Sequence, residues 1–184
     1  TVTWNFGTTV ANPAPSSGTP VTNLTISDIT QGNNNGTTTL LTTTSASNTY
    51  AGASAQFNAG AAARIGALNT AANGSAYFEF TLTPAAGSTV SMTAINFGSR
   101  STGTGTQAYS VRTSLDAYAT DAATGTLLNN STWAFFNNAT SVTSGTATPV
   151  TIRIYGYNGT GSLSASTANW RIDDLSITVT VSGG

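Results

Sequence analysis

The sequence predicts an all-β fold, a two-sheet antiparallel β-sandwich of jelly-roll type with eight or more strands. Three observations lead there. Segments rich in β-branched and aromatic residues recur along the chain, bounded by Gly, Asn or Pro. Where apolar residues are dense, they alternate with polar ones at period two. Helix signals are nearly absent: the one candidate, residues 61–68, is short and flanked by Gly.

Residues 2–6 read as a first strand, with Val2, Trp4 and Phe6 on one face. Residues 12–18, rich in Pro, Ser and Gly, read as a tether to the body, so residues 1–18 form a strand plus linker. Further strands are expected over residues 21–29, 76–83, 89–97, 107–114, 132–136, 150–157 and 170–181. Within 76–83, alternation puts Phe78, Phe80 and Leu82 on one face; within 150–157 the inward set is Val150, Ile152 and Ile154. In the last strand Trp170 and Ile172 are followed by Leu175, Ile177, Val179 and Val181. The alternation slips by one residue across Asp173-Asp174, which predicts a β-bulge there. Asn35-Gly36, Asn73-Gly74 and Asn158-Gly159 are tight-turn dipeptides. No internal repeat or boundary divides the chain, so residues 1–184 are expected to form a single domain.

At 184 residues the chain buries a core without disulfides or metal. Charged residues make up 6% of it, against about a quarter in ordinary soluble proteins. All five bases are Arg, and the chain has no Lys, His or Cys. A net charge of -1 excludes a basic footprint for nucleic acid or an anionic membrane. No stretch approaches the roughly 20 apolar residues of a membrane span, so no membrane insertion is expected. The balance of Thr, Ser, Asn, Gly and Ala is a neutral, hydroxyl-rich surface, typical of secreted proteins. An extracellular or cell-surface location is expected, with any export leader already removed. An apolar fraction of 39% in patterned runs excludes intrinsic disorder.

Lacking His and Cys, the chain cannot build a Ser-His-Asp or Cys-His nucleophile, nor an ordinary zinc site. Lacking Lys, it has no phosphate-binding P-loop. Glycosidase chemistry needs only two carboxylates. The adjacent pair Asp173 and Asp174 points to opposite faces of a regular strand, and Asp116 and Asp121 read as loop residues. No enzymatic activity is therefore expected. Arg112, Arg153 and Arg171 lie inside apolar strands, where an unpaired charge is costly. With Glu79, Asp173 and Asp174 as partners they are expected to form a structural polar network.

The closing segment Trp170-Arg171-Ile172-Asp173-Asp174-Leu175 resembles the last strand of secreted jelly-roll modules of the carbohydrate-binding and galactose-binding-like type. Residues 97–118 and 154–159 are similar to a module that recurs in large secreted or surface proteins of Gram-negative bacteria. The resemblance implies that Asp173 or Asp174 ligates a structural calcium; no other cofactor is expected. A hard cation wants several oxygens, and residues 2–6 supply no acid.

Two functions follow. In the first, the chain is a structural subunit that polymerises into a filament or surface layer, its partner being itself. Soluble monomers guard sheet edges with charge, and this chain has few charges to do so. The strand carrying Val2, Trp4 and Phe6 would add to a neighbour's sheet. In the second, the chain binds a polysaccharide by stacking sugar rings on Tyr109, Tyr118, Trp133, Tyr155 and Tyr157. Ice binding, suggested by Thr37-Thr38-Thr39 and Thr42-Thr43-Thr44, lacks the fixed repeat that a flat Thr lattice requires.

Overall fold

The computed structural model describes residues 2–4, 20–34, 36, 40–55, 57–63, 66–160 and 168–183. Its strands are β1 (Val2–Trp4), β2 (Leu24–Ile26), β3 (Thr30–Gly32), β4 (Leu41–Thr42), β5 (Asn58–Ala61), β6 (Tyr77–Pro84), β7 (Ser88–Ser101), β8 (Ala108–Thr113), β9 (Ala123–Thr126), β10 (Ala134–Thr143), β11 (Val150–Tyr157) and β12 (Trp170–Gly183). The only helical element among the described residues is a 3₁₀ turn, Ser114–Asp116. None is long and apolar enough to cross a membrane.

Two antiparallel sheets form. Sheet I runs β10-β7-β12-β5-β4, with β1 also on β12; sheet II runs β2-β6-β11-β8-β9, with β3 also on β6. From β5 onward the pairs β5/β12, β6/β11, β7/β10 and β8/β9 nest inside one another. Such nested pairs arise when one long hairpin rolls up, and they give the jelly-roll order.

The core lies between the sheets. Phe78, Phe80 and Leu82 of β6 and Val150, Ile152 and Ile154 of β11 face Ile95 and Phe97 of β7 and Trp170, Ile172, Leu175 and Ile177 of β12, all buried. The Phe78 and Trp170 rings lie 4.7 Å apart across the layer. This is the alternation visible in the sequence, since a strand with one buried face must alternate. The bulge forms as expected. Asp173 pairs with Gly98 and Ser176 with Asn96, so β12 carries one extra residue, and Asp174 takes φ 49°. Asn73 and Asn158 take the positive φ that their tight turns require; Asn35 lies outside the described residues.

Some boundaries differ from expectation. Residues 21–29 do not form one strand: Ser27 bonds by backbone and hydroxyl to Thr81, and the chain breaks there into β2 and β3. Ala61 ends strand β5 rather than opening a helix, and Ala62 and Ala63 are buried beyond it. The strand expected at residues 132–136 continues to Thr143, and β9 was not anticipated. Both are outermost strands, whose exposed faces need no apolar residues. Phe6 and the Pro-rich tether lie outside the described residues.

Candidate functional site

Sheet II presents a polar outer face. Residues 151, 153, 155 and 157 of β11 point outward because 150, 152 and 154 point in. Arg153 stands opposite Glu79 on β6, and its Nε donates to Glu79 Oε2 at 2.8 Å. Its guanidinium is clamped between two rings, 4.1 Å from the Tyr77 centroid and 4.0 Å from that of Tyr118. Nη1 donates to the Tyr155 hydroxyl at 3.0 Å. Burial pushes the Tyr77 and Tyr118 phenols up from their ordinary range. Arg112, on the neighbouring strand, has a different partner from those expected. It pairs with Asp121 at 2.9 Å and donates to the Tyr118 and Ala119 carbonyls, fastening residues 114–122 over the sheet.

The expected polar network therefore divides. Glu79 and Arg153 pair, Arg112 serves the loop, and Arg171 lies on the other sheet. Arg171 is buried, donates through Nη1 to Asn58 at 3.1 Å, and has no carboxylate partner among the described residues. Its Nε has no hydrogen-bond partner, and burial holds its pKa below the usual guanidinium range.

Three of the five expected sugar-stacking residues are unavailable. Tyr109 packs edge-on against Phe97 and Phe136 inside the sandwich, and its hydroxyl donates to Asn138. Tyr155 is covered by Tyr77 and Tyr118. Trp133 lies under residues 45–50, with its indole N–H donating to the Ser45 carbonyl at 3.0 Å. Tyr118 and Tyr157 remain half-exposed, with one face of Tyr118 taken by Arg153. Tyr77, which sequence reasoning missed, joins them on this face. Its position opposite Tyr155 in the β6–β11 register is the signal that finds it.

The bulge on sheet I is a closed polar knot. Asp173 is fully buried and accepts from the Ser54 hydroxyl at 2.8 Å and the Asp174 amide at 2.7 Å. Asp174 accepts from the Tyr50 hydroxyl at 2.6 Å and the Ser54 amide at 3.0 Å. Burial pushes the Asp173 carboxyl up to about 6, with the Asp174 charge adding and hydroxyl donors opposing. Burial and Asp174 likewise raise the Tyr50 phenol. These residues do not fit a structural calcium. The carboxylate oxygens are met by O–H and N–H donors, and no group of three or more metal-ligating side chains occurs among the described residues.

The free edges show where charge is missing. Glu79, Arg100, Arg112, Arg153, Arg171, Asp173 and Asp174 sit on β6, β7, β8, β11 and β12, each of which has a neighbour on both sides. The outer strands β2, β3, β4, β9 and β10 carry no charged residue. The longest of them is β10, with ten residues. Beside it opens an apolar hollow of about 210 Å³ lined by Leu127, Leu128, Ala134 and Phe136. Phe135 is 37% exposed and Leu128 71%. Of the expected assembly residues, Val2 is buried on its own chain's β12, opposite Ile177. The Trp4 side chain and Phe6 lie outside the described residues.

Fold and surface together define a jelly-roll sandwich with a polar aromatic face and uncharged edges. No family model and no curated protein matches the chain. One solved structure, a crystal structure of the enzymatically active domain of bacteriophage CBA120 tailspike protein 4, is similar at 14% identity and a TM-score of 0.42. The similarity covers 86% of this chain and 20% of that one. The expectation of no enzymatic activity is corrected: that structure is of an enzymatically active domain, and the likeness, at this TM-score, assigns this chain no activity of its own. The residue inventory was never sufficient for that exclusion, because carboxylates alone support glycoside hydrolysis.

Proposed function

We propose that this chain is an extracellular structural subunit that assembles with copies of itself through uncharged sheet edges, with its N-terminal strand as a second contact. One observation carries the reading. Among the described residues charge lies on interior strands and in loops, Asp28 between β2 and β3 included, and the outermost strands themselves have none. Charge on such an edge keeps a protein single, because unpaired N–H and C=O groups recruit any passing strand; β10 has a register shift past Ala139 but no charge along its length. The N-terminal strand suits exchange: β1 holds its own β12 over only three residue pairs. A neighbour's copy in the same register would bury the same Val2 side chain.

The test is the mass and shape of the purified chain by light scattering and negative-stain imaging. Discrete assemblies or filaments are expected, with Ala139→Lys on the exposed face of β10 lowering the mass. Deleting residues 1–6 is expected to shorten assemblies while the sandwich remains folded. An 18.5 kDa monomer at every concentration overturns the reading.

A second reading, polysaccharide binding, rests on the half-exposed Tyr77, Tyr118 and Tyr157 on one sheet face. Retention on an insoluble polysaccharide that Tyr157→Ala abolishes would favour it.

A further inference from the structure

We propose that two copies of this chain pair β10 against β10 about a two-fold axis through Asn137, joining two copies of sheet I into one. The inference rests on the self-assembly reading above and specifies its first contact.

Self-pairing is a demanding arrangement, because a two-fold axis sets residues near it against their own copies. Any charge there faces its like, which is destabilising. Across ten residues β10 has none. The backbone is also ready. The Asn138 amide is turned toward β7, where the Asn96 side-chain carbonyl accepts it at 2.9 Å. Strand alternation then turns the amides and carbonyls of Asn137 and Ala139 to the open side. Among the described residues no strand pairs with β10 on that side.

Parity sets the register. Residues opposite each other in an antiparallel pair share a face. A two-fold axis normal to the sheet keeps inward residues inward, so the axis passes through a residue rather than between two. Phe136 and Asn138 point in: Phe136 packs on Phe97 and Tyr109, and Asn138 bonds to Ile95 and Tyr109. Phe135, Asn137 and Ala139 point out and are exposed. The regular part of β10 ends at Ala139, where the register with β7 shifts. Its midpoint with outward-turned backbone groups is Asn137. Centred there, each Asn137 exchanges two hydrogen bonds with its copy, and Phe135 faces Ala139 of the second copy, which covers its exposed ring. The other edges are fragmentary: β4 has two residues, β2 and β3 three each, and β9 four. Only β10 offers a partner as long as itself. The contact is therefore isologous and closes as a pair; growth beyond the pair falls to a different contact such as the N-terminal strand.

The chain has no cysteine, so single cysteines read the register without background. In a hydrogen-bonded antiparallel pair the Cα atoms lie about 5.5 Å apart, within disulfide reach. Asn137→Cys, Phe135→Cys, Ala139→Cys and, as an exposed control, Leu115→Cys are oxidised in dilute buffer, with light scattering on the untagged wild type alongside. Asn137→Cys is expected to give at least about tenfold more covalent dimer than Leu115→Cys, because pairing raises the local thiol concentration. Phe135→Cys and Ala139→Cys are expected to cross-link poorly alone and well when mixed. If wild type assembles but Asn137→Cys cross-links no better than Leu115→Cys, this pairing is wrong and assembly uses another surface. A wild-type monomer at all concentrations overturns both the pairing and the assembly reading.

Discussion

Asp173→Asn tests whether the bulge holds a carboxyl that is happier neutral. Asp173 is fully buried on β12, flanked by Asp174 and Arg171 on its own strand, with Arg100 opposite Arg171 on β7 and Tyr50 packed over the bulge. No cation lies within ion-pair distance of it among the described residues. Its folded-state pKa, raised from 3.8 to about 6, means the folded protein holds this proton more tightly than the unfolded chain. The contribution to stability is therefore fully present below pH 3.8 and is lost as pH rises to about 6. The loss amounts to about 3 kcal/mol across that window, at 1.36 kcal/mol per pKa unit. Asparagine keeps the geometry: its carbonyl accepts the Asp174 amide and its NH₂ donates to the Ser54 hydroxyl, which rotates to accept. Asp116 and Asp121, held low by hydrogen bonds, change stability in the opposite sense as pH falls, but equally in both proteins. The assay is urea unfolding followed by tryptophan fluorescence at pH steps from 3 to 8, using the difference between variant and wild type. Asp173→Asn should gain on wild type by about 3 kcal/mol between the two ends of that range. A difference that stays flat with pH, or that falls as pH rises, refutes the reasoning.

Two further variants probe the two outer faces. Gly98→Ala drives a methyl group into the Tyr50 hydroxyl and ring edge, so the ring must leave and its bond to Asp174 breaks. A loss of about 1–3 kcal/mol is expected by denaturant unfolding, and wild-type stability in this variant would show that Tyr50 does not hold residues 43–55 down. Arg153→Met keeps packing between Tyr77 and Tyr118 but strips Glu79 of its partner. A similar loss of about 1–3 kcal/mol is expected, and combining it with Glu79→Gln should cost less than the sum of the two changes; strict additivity would mean that the pair is not coupled.

How much was legible follows from what each residue must satisfy. Strands β6, β11 and β12 could be read directly, because their inward apolar residues recur at every second position on either side of the bulge. The bulge could be read for the same reason, as the one place where alternation slips. The edge strands were harder. Ala123-Thr124-Gly125-Thr126 and the second half of β10 have little apolar content, since a strand at the rim touches the core through few residues. The ion-pair partners were legible only as types. Asp121, nine residues beyond Arg112, is brought to it by the turn of residues 114–122 rather than by any strand pattern.

By itself the sequence determined that this protein is a β-sandwich and which side of β6, β11 and β12 meets the core. Those properties are local sums over neighbouring residues, and period-two alternation records them. Only the tertiary structure decided which aromatics are open and which edges are bare. Tyr155 and Tyr157 share a face of one strand, yet Tyr155 is covered by rings from β6 and a distant loop while Tyr157 stays half-exposed. The position of charge is likewise set by strand order. A strand is an edge or a centre only through what pairs beside it, and pairing partners here lie as far apart in sequence as β1 and β12.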